Sequence, residues 1–368
     1  MSTAGPTTPD GIRSVLVVGT GLIGTSLGLA LRRVGVTVWL DDVNPSHLTA
    51  AVGRGAGDPW SGRSGPPMPC DVAVVAVPPR RTAEVVVGLQ RLRVASTYIQ
   101  VASVQAQVQA EIERDAADVT TVVGAHPLAG KETAGPQGAD GGLFQGRPWC
   151  LCAHARTGTA ARNRAHELAR LVGSDVVELT AQEHDRAVAL VSHLPQAVST
   201  SLAACLLGGE ALALAGPGLA DTTRLAAGDA QLWTDILTSN AAQLAPLLTQ
   251  MTGHLERLRE ALQGPPGSEQ DALVHSLLTQ GAAGRALVPL KRGAASTAFE
   301  AVDIELEDRP GELARLLADA ARLGVNIEDL RVDHLPGRPR GVLSVLVPGE
   351  LRAEAMAGLQ KLGWRLRA

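Results

Sequence analysis

Aromatic residues are scarce: two Phe, one Tyr and five Trp make up 2% of the 368 residues. Few can serve as bulk filler, so each Trp or Tyr is expected to hold a definite packing or binding place. Cysteine is scarcer still, with only Cys70, Cys150, Cys152 and Cys205 and no CxxC pair. That pattern argues against a disulfide scaffold or a thiolate metal site. With no secretory leader ahead of Ile12, it points to a reducing, cytoplasmic setting in which the thiols are small core residues. Apolar runs are broken by Glu210, by glycines or by prolines before they reach the roughly 20 residues a membrane helix requires. Charge of one sign is missing too: 33 Lys and Arg against 37 Asp and Glu leave a net −4. Such a balance gives no general electrostatic footing for nucleic acid or an anionic membrane, and small-molecule chemistry is left.

What is present is length and rhythm. A chain this long accommodates two or three domains with real cores, at roughly 100–200 residues each. From Ser14 short β-branched runs (SVLVVG, VTVWL, DVAVVAV, TYIQVA, TTVVGA, WCLCA, DVVEL) alternate with helical segments, which predicts a mostly parallel sheet covered on both faces over residues 12–179. At Thr180 the grammar changes. TAQE reads as a capping box, and Ala187, Leu190, Val191, Leu194, Ala197 and Val198 keep helical spacing, opening an all-helical domain over 180–281. Pro195 inside this first helix should kink it. Residues 282–299 read as a linker. The order β-α-β-β-α-β over 300–368 predicts a small ferredoxin-like module.

The first strand runs into Gly19-x-Gly21-x-x-Gly24 and then a helix. Gly19 permits the turn, Gly21 admits a pyrophosphate against the backbone, Gly24 lets helix and strand close up, and Leu22 and Ile23 open the helix whose N-terminus faces the anion. Asp42, eighteen residues past Gly24, stands where a ribose-binding carboxylate belongs, with Asp41 a close competitor. A carboxylate there favours NAD over NADP, so a Rossmann-type NAD-binding domain is expected.

In GAHPLAG, His126 ends a strand of that domain, and ligands lie off the carboxyl ends of strands in doubly wound sheets. It is the candidate acid/base. Ser103, at the end of the preceding strand, could share a hydrogen bond with substrate or His126, or could cap the helix that follows. His184 and His193 sit on the first helix of the second domain, where isolated histidines are more often structural. Arg224, in the polar cluster Asp221, Thr222, Thr223, Arg224, suits bidentate carboxylate binding or a surface ion pair.

Three stretches together resemble the prephenate dehydrogenase family: GTGLIGTSLGLAL, GAHPLAGKETAG, and AVALVSHLP followed by DTTRLAAGDAQLWTDILTSN. The resemblance spans roughly residues 13–280, and EDRPGELARLLADAARLGVNIEDL beyond it resembles an ACT domain. It implies that His126 is the catalytic base and that Ser103 places the substrate hydroxyl. It further implies that Arg224, with Thr223, binds a substrate carboxylate, that Glu132 guards the site entrance, and that His193 and Trp233 line the helical side. Where relatives read SHLPH, Gln196 replaces the second histidine, which leaves prephenate and arogenate both open as substrate. The helical domain, with its surplus of Ala- and Leu-rich helix faces, is expected to form a homodimer. In the ACT-like module Asp308, Pro310, Gly311 and Asn326 would surround an amino-acid effector such as tyrosine. Another hydroxyacid dehydrogenase, or a non-catalytic NAD and amino-acid sensor, are the competing readings.

Overall fold

The computed structural model describes residues 11–60, 69–116, 118–131, 133–209, 212–288, 299–334 and 340–367. Two compact units result, Met1–Met251 and Thr252–Ala368. The first begins β1 (Ser14–Val18), α1 (Leu22–Arg33), β2 (Thr37–Asp41), α2 (Pro45–Gly53), β3 (Asp58–Pro59), β4 (Cys70–Val75), α3 (Pro79–Arg91), β5 (Ala95–Gln100), α4 (Ala106–Asp115) and β6 (Val122–Pro127). It continues through β7 (Pro148–Cys152), α5 (Thr159–Leu171), β8 (Asp175–Glu178), α6 (Ala181–Val188), α7 (Leu194–Ala204), α8 (Pro217–Thr223) and α9 (Ala230–Ser239), and α10 (Ala241–Gln263) leads into the second unit.

The sheet order is β3-β2-β1-β4-β5-β6-β7-β8. Its first six strands are parallel, as the alternation of apolar runs and helices implies. Within β1, Val15 and Val17 join one core layer while Leu16 and Val18 join the other. Both faces are therefore buried, which is why the strands read as continuous rather than alternating apolar runs. Each fully buried Leu or Val there contributes about 2 kcal/mol of transfer free energy. Strand β7 departs from the parallel pattern and runs antiparallel to β6, pairing Cys150 with His126. Among the described residues between them, the one helical piece is a short turn of 3-10 helix at Pro136–Gly138. Without a crossover helix, β7 returns beside its predecessor in the opposite sense.

Thr180 caps α6 as expected, its hydroxyl accepting from the Glu183 amide at 3.2 Å while the Glu183 carboxylate accepts from the Thr180 amide at 2.8 Å. Pro195 does not break the helix. A five-residue π-turn, Ala189–His193, lies just ahead of it, so the proline enters in the first turn of α7, where its missing N–H is tolerated. The face this helix buries differs from the apolar stripe read in the sequence. His184, Asp185, His193 and Gln196 are buried, whereas Leu190 and Val191 are 55% and 66% exposed. By length and composition, 181–204 is long and apolar enough to cross a membrane, but the side turned to protein carries these polar residues together with Ala181, Val188 and Ala189. Cys70, Cys150 and Cys152 are buried as expected; Cys205, at the C-cap of α7, is exposed instead, because it falls on the outer side of that helix.

The second unit holds α11 (Ser268–Ala286), β9 (Phe299–Glu307), α12 (Glu312–Arg322), β10 (Asp329–His334), β11 (Arg340–Pro348), α13 (Arg352–Lys361) and β12 (Arg365–Arg367). Helix α11 extends past residue 281, so the expected linker begins later, and residues 289–298 of it lie outside the described residues. Four antiparallel strands in the order β10-β11-β9-β12 form a sheet around a core of Val302, Ile304, Leu316, Leu343 and Trp364. The Trp364 indole donates to Asp319 at 3.0 Å and carries the Arg315 guanidinium on its face at 3.8 Å.

Candidate active site

The cofactor cradle forms where the strand order switches, between the carboxyl ends of β1 and β4. Gly19 takes a left-handed φ of +94°, and a Cβ there would stand 2.4 Å from the Ala76 carbonyl oxygen. A Cβ on Gly24 would meet the Gly19 carbonyl at 1.8 Å. Gly21 is different: a Cβ would find nothing within 4 Å. Two glycines are thus required by the protein's own backbone, and the third borders open space. No side chain caps α1, so the amides of Leu22, Ile23 and Gly24 are left to the mouth of this loop, a geometry suited to a pyrophosphate. The Asp42 carboxylate accepts from the Thr20 amide at 2.6 Å, the Thr20 hydroxyl at 2.8 Å and the Asn44 amide at 2.7 Å. Of the two carboxylates it is that of Asp42 that reaches the glycine loop, while Asp41 meets it through its main-chain carbonyl, which accepts from the Gly19 amide at 2.8 Å. Asp41 is half-buried, and burial followed by repulsion from Asp42 raises its carboxyl above the usual range.

Two strands along the same edge, His126 lies near the end of β6. Its Nδ1 is 2.9 Å from Nε2 of His184 on α6, and the rings meet edge to face. His184 Nδ1 is in turn 2.8 Å from the Asp185 carboxylate. Both Asp185 oxygens also accept backbone amides at 2.8 Å, from Gln105 and Ala106 at the start of α4. This corrects the reading of Ser103 as the cap of that helix: the N-cap residue is Gln105, and a carboxylate eighty residues away satisfies the exposed amides. Ser103 sits half-buried in the bend after β5 and makes no hydrogen bond to another described residue. His126 finds its partner in His184.

The helical part continues the network. Asn240 donates to the Asp185 main-chain carbonyl at 2.8 Å and lies 3.1 Å from His193 Nδ1. His193 meets Trp233 edge to face, with ring centroids 6.3 Å apart. Gln196 uses its amide nitrogen on the Leu225 carbonyl at 2.9 Å and the Thr200 hydroxyl at 3.2 Å, tying α7 to the turn that begins at Arg224. Thr223 spends its hydroxyl on the Leu219 carbonyl, and Arg224 is exposed. Arg80 at the start of α3 pairs with Asp235 at 3.4 Å and donates to Thr238 at 2.7 Å, joining the strand edge to α9. Glu132 lies outside the described residues.

Burial, followed by the neighbouring His184 and His193, holds the His126 imidazole well below its ordinary value. Burial likewise pushes His193 down to about 4, Asp185 opposing the shift and His184 adding to it. A neutral His193 also fits Asn240, which donates to its Nδ1. Between about pH 4 and 6.5 the unfolded chain therefore binds protons that the folded one refuses. This contribution to stability is complete above the unfolded value and is lost as the pH falls toward the folded one. Urea unfolding should give a stability about 2 kcal/mol lower at pH 5 than at pH 7.5 on account of His193 alone. His193→Leu should flatten that slope; an unchanged slope would reject the assignment.

A doubly wound sheet with a glycine cradle at its switch point, joined through a buried histidine network to a helical segment, defines a two-part nucleotide-dependent oxidoreductase. Residues 27–178 match the prephenate dehydrogenase nucleotide-binding domain, and residues 180–279 the prephenate dehydrogenase dimerization domain. The chain belongs to the prephenate dehydrogenase family. It is 37% identical to the probable prephenate dehydrogenase NovF of Streptomyces niveus, over 96% of this chain and 99% of that protein. It is 28% identical to the cyclohexadienyl dehydrogenase of Zymomonas mobilis, over 69% of this chain and 90% of that one. Among solved structures, the prephenate dehydrogenase of A. aeolicus in complex with hydroxyphenyl propionate and NAD+ is 25% identical with a TM-score of 0.66, covering 74% of this chain and 97% of that one. The Synechocystis arogenate dehydrogenase is 26% identical with a TM-score of 0.59, over 74% of this chain and 98% of that one.

Proposed function

We propose that the chain catalyses the NAD-dependent oxidative decarboxylation of prephenate to 4-hydroxyphenylpyruvate, in the cytoplasm, as a step of tyrosine formation. The observation that carries the reading is His126: a neutral imidazole at the carboxyl edge of the cofactor sheet, with one ring nitrogen committed to His184. NAD fits the cradle, with the amides of Leu22, Ile23 and Gly24 toward the pyrophosphate, open space at Gly21, and Asp42 toward the ribose, where a carboxylate repels the extra phosphate of NADP. When bound, the nicotinamide supplies the hydride acceptor. The free nitrogen of His126 takes the proton of the ring hydroxyl as the hydride leaves the same carbon. The ring carboxylate then departs as CO2, its bonding pair aromatises the ring, and His126 returns the proton to the phenol oxygen. Ser103 places the hydroxyl, Arg224 beside Thr223 receives a carboxylate, and Glu132, six residues past His126, guards the site entrance. His193 and Trp233 shape the helical wall.

Arogenate is the second reading, and Gln196 favours it. Both amide hydrogens of Gln196 are engaged by Thr200 and Leu225. Its carbonyl oxygen is left as an acceptor, which suits an ammonium group better than a keto oxygen. Purified protein offered prephenate or arogenate, each with NAD or NADP, should form NADH and little NADPH, and the preferred acid identifies the substrate. No reduced cofactor with any pair would instead support an NAD and amino-acid sensor.

The outward Leu190 and Val191, with Leu207 87% exposed, form apolar surface on the dimerization-domain segment and support a homodimer. The β-α-β-β-α-β unit supports an ACT-type regulatory module, with Asp308, Pro310, Gly311 and Asn326 around the start of α12 and the approach to β10. Gly311 takes a left-handed φ of +92° at the N-cap of α12, leaving the loop that would receive an amino acid free of a side chain at that position. Tyrosine should inhibit the full chain and not one lacking residues 296–368; equal sensitivity in both would remove this part of the reading.

A further inference from the structure

His184 is fully buried, and its two ring nitrogens lie between His126 and Asp185 at 2.9 and 2.8 Å. The direction of each bond follows from what Asp185 can do. Its carboxylate already accepts the Gln105 and Ala106 amides, one on each oxygen, and an ionised carboxylate has no hydrogen to give. His184 must therefore donate through Nδ1. A neutral His184 then has only a lone pair at Nε2, so His126 must donate through its own Nδ1. The neutral ring of His126 is left with its lone pair on Nε2, the nitrogen not turned toward α6.

We propose that His184 and Asp185 are positioning residues for His126: the chain Asp185–His184–His126 sets the tautomer and ring plane of His126 so that its Nε2 lone pair faces the substrate hydroxyl. The inference rests on the proposed function for what the Nε2 lone pair does, but not for its existence. The arrangement has the logic of a carboxylate that orients a catalytic imidazole and stabilises its protonated form, extended by one more ring. When His126 holds the substrate proton, its Nδ1–H remains on His184 and the positive charge stands two hydrogen bonds from Asp185. Asp185 serves a second end at the same time. By holding the first amides of α4, it fixes the segment that follows Ser103, so both ends of the base's surroundings are referred to one carboxylate. The charged or titratable groups facing His184 are His126 on β6, Asp185 beside it and His193 in the π-turn; Cys152 on β7 and Glu183 lie on the Asp185 side. A proton added to His184 would reverse the chain, make His126 Nε2 a donor and remove the base.

Nitrogen-15 spectra of histidine-labelled protein at pH 7.5, with the His126 signals assigned by their loss in His126→Asn, test this directly. The expected wild-type pattern is a protonated Nδ1 and a bare Nε2 on His126. A protonated Nε2 overturns the proposal. Kinetics give the second arm. His184→Leu should lower kcat about 10- to 100-fold with KM for substrate and cofactor within about threefold, the scale typical of lost outer-shell orientation. His184→Gln, whose amide oxygen can still accept from His126, should recover most of that loss. Equal kcat loss in both variants, or wild-type kcat in His184→Leu, overturns it as well. If the wild-type enzyme oxidises neither prephenate nor arogenate, the proposed function fails, while the nitrogen spectra still decide this inference.

Discussion

His126→Asn is expected to lower kcat by about a thousandfold while leaving the affinity for NAD within about twofold. A positioned general base commonly accounts for 10²- to 10⁴-fold of rate, roughly 3–5 kcal/mol of barrier. Asparagine has no group that takes the hydroxyl proton at neutral pH. It does retain an amide that can donate to His184 Nε2, so the buried hydrogen bond now made at 2.9 Å need not be orphaned and the fold should persist. The glycine cradle between β1 and β4 lies two strands away from β6 and shares no residue with His126. Steady-state kinetics beside a fluorescence titration of NADH would separate the two effects. Near-normal turnover would sink the assignment of His126 as the base. Because burial holds the imidazole well below its ordinary value, the wild-type enzyme should keep its activity to more acidic pH than a solvent-exposed histidine would allow. An acid limb at the ordinary histidine value would mean that another group is titrating.

Much of the architecture is legible in the chain because it is written in local pattern. Strands β1, β2 and β4 to β8 each lie on or within a residue or two of a β-branched run, and the Thr180–Glu183 capping box forms at the residues where the sequence shows it, at the start of α6. Gly19 and Gly24 are legible since the reason for each is steric and short-range, whereas Gly21 meets no protein atom that would require it. What fails to show are relations between distant segments. Nothing near Ser103 reveals that Asp185 will cap α4, because the amides of that helix could donate to any nearby oxygen. The direction of β7 depends on the absence of a crossover helix, which composition alone does not display. Pro195 marks an interruption in the helix, but not that it takes the form of a π-turn just upstream. The most consequential omission is His184. A histidine on a helix carries no mark of its partner, and its only local signal is the adjacent Asp185, which acquires meaning once β6 stands across from it at hydrogen-bond distance. The buried face of this helix has the same origin: periodicity finds Leu190 and Val191, but the side turned inward carries His184, Asp185, His193 and Gln196 together with Val188 and Ala189.

The second large effect separates two glycines that a sequence motif treats alike. Gly24→Ala should destabilise the cofactor unit by about 3 kcal/mol, at the upper end of what overpacking usually costs, because the new methyl would lie 1.8 Å from the Gly19 carbonyl and α1 must move off β1 to admit it. That movement also displaces the helix N-terminus, so NAD binding should be lost with stability. Gly21→Ala should behave oppositely. Its φ of −68° suits any L-residue and a methyl there has no protein atom within 4 Å, leaving only the modest cost of replacing an N-cap glycine, under about 1 kcal/mol. The space the methyl enters is the space assigned to the pyrophosphate. Cofactor affinity should therefore fall about a hundredfold in a protein that melts within a few degrees of wild type, while kcat at saturating NAD stays within severalfold because His126 and its partners are untouched. Thermal unfolding of both variants, with and without saturating NAD, makes the distinction: NAD should raise the midpoint of the wild type and hardly that of Gly21→Ala. An undiminished NAD-induced shift in Gly21→Ala would show that the dinucleotide does not cross the glycine loop at this residue, and the cradle would have to be placed elsewhere along the β1–β4 edge.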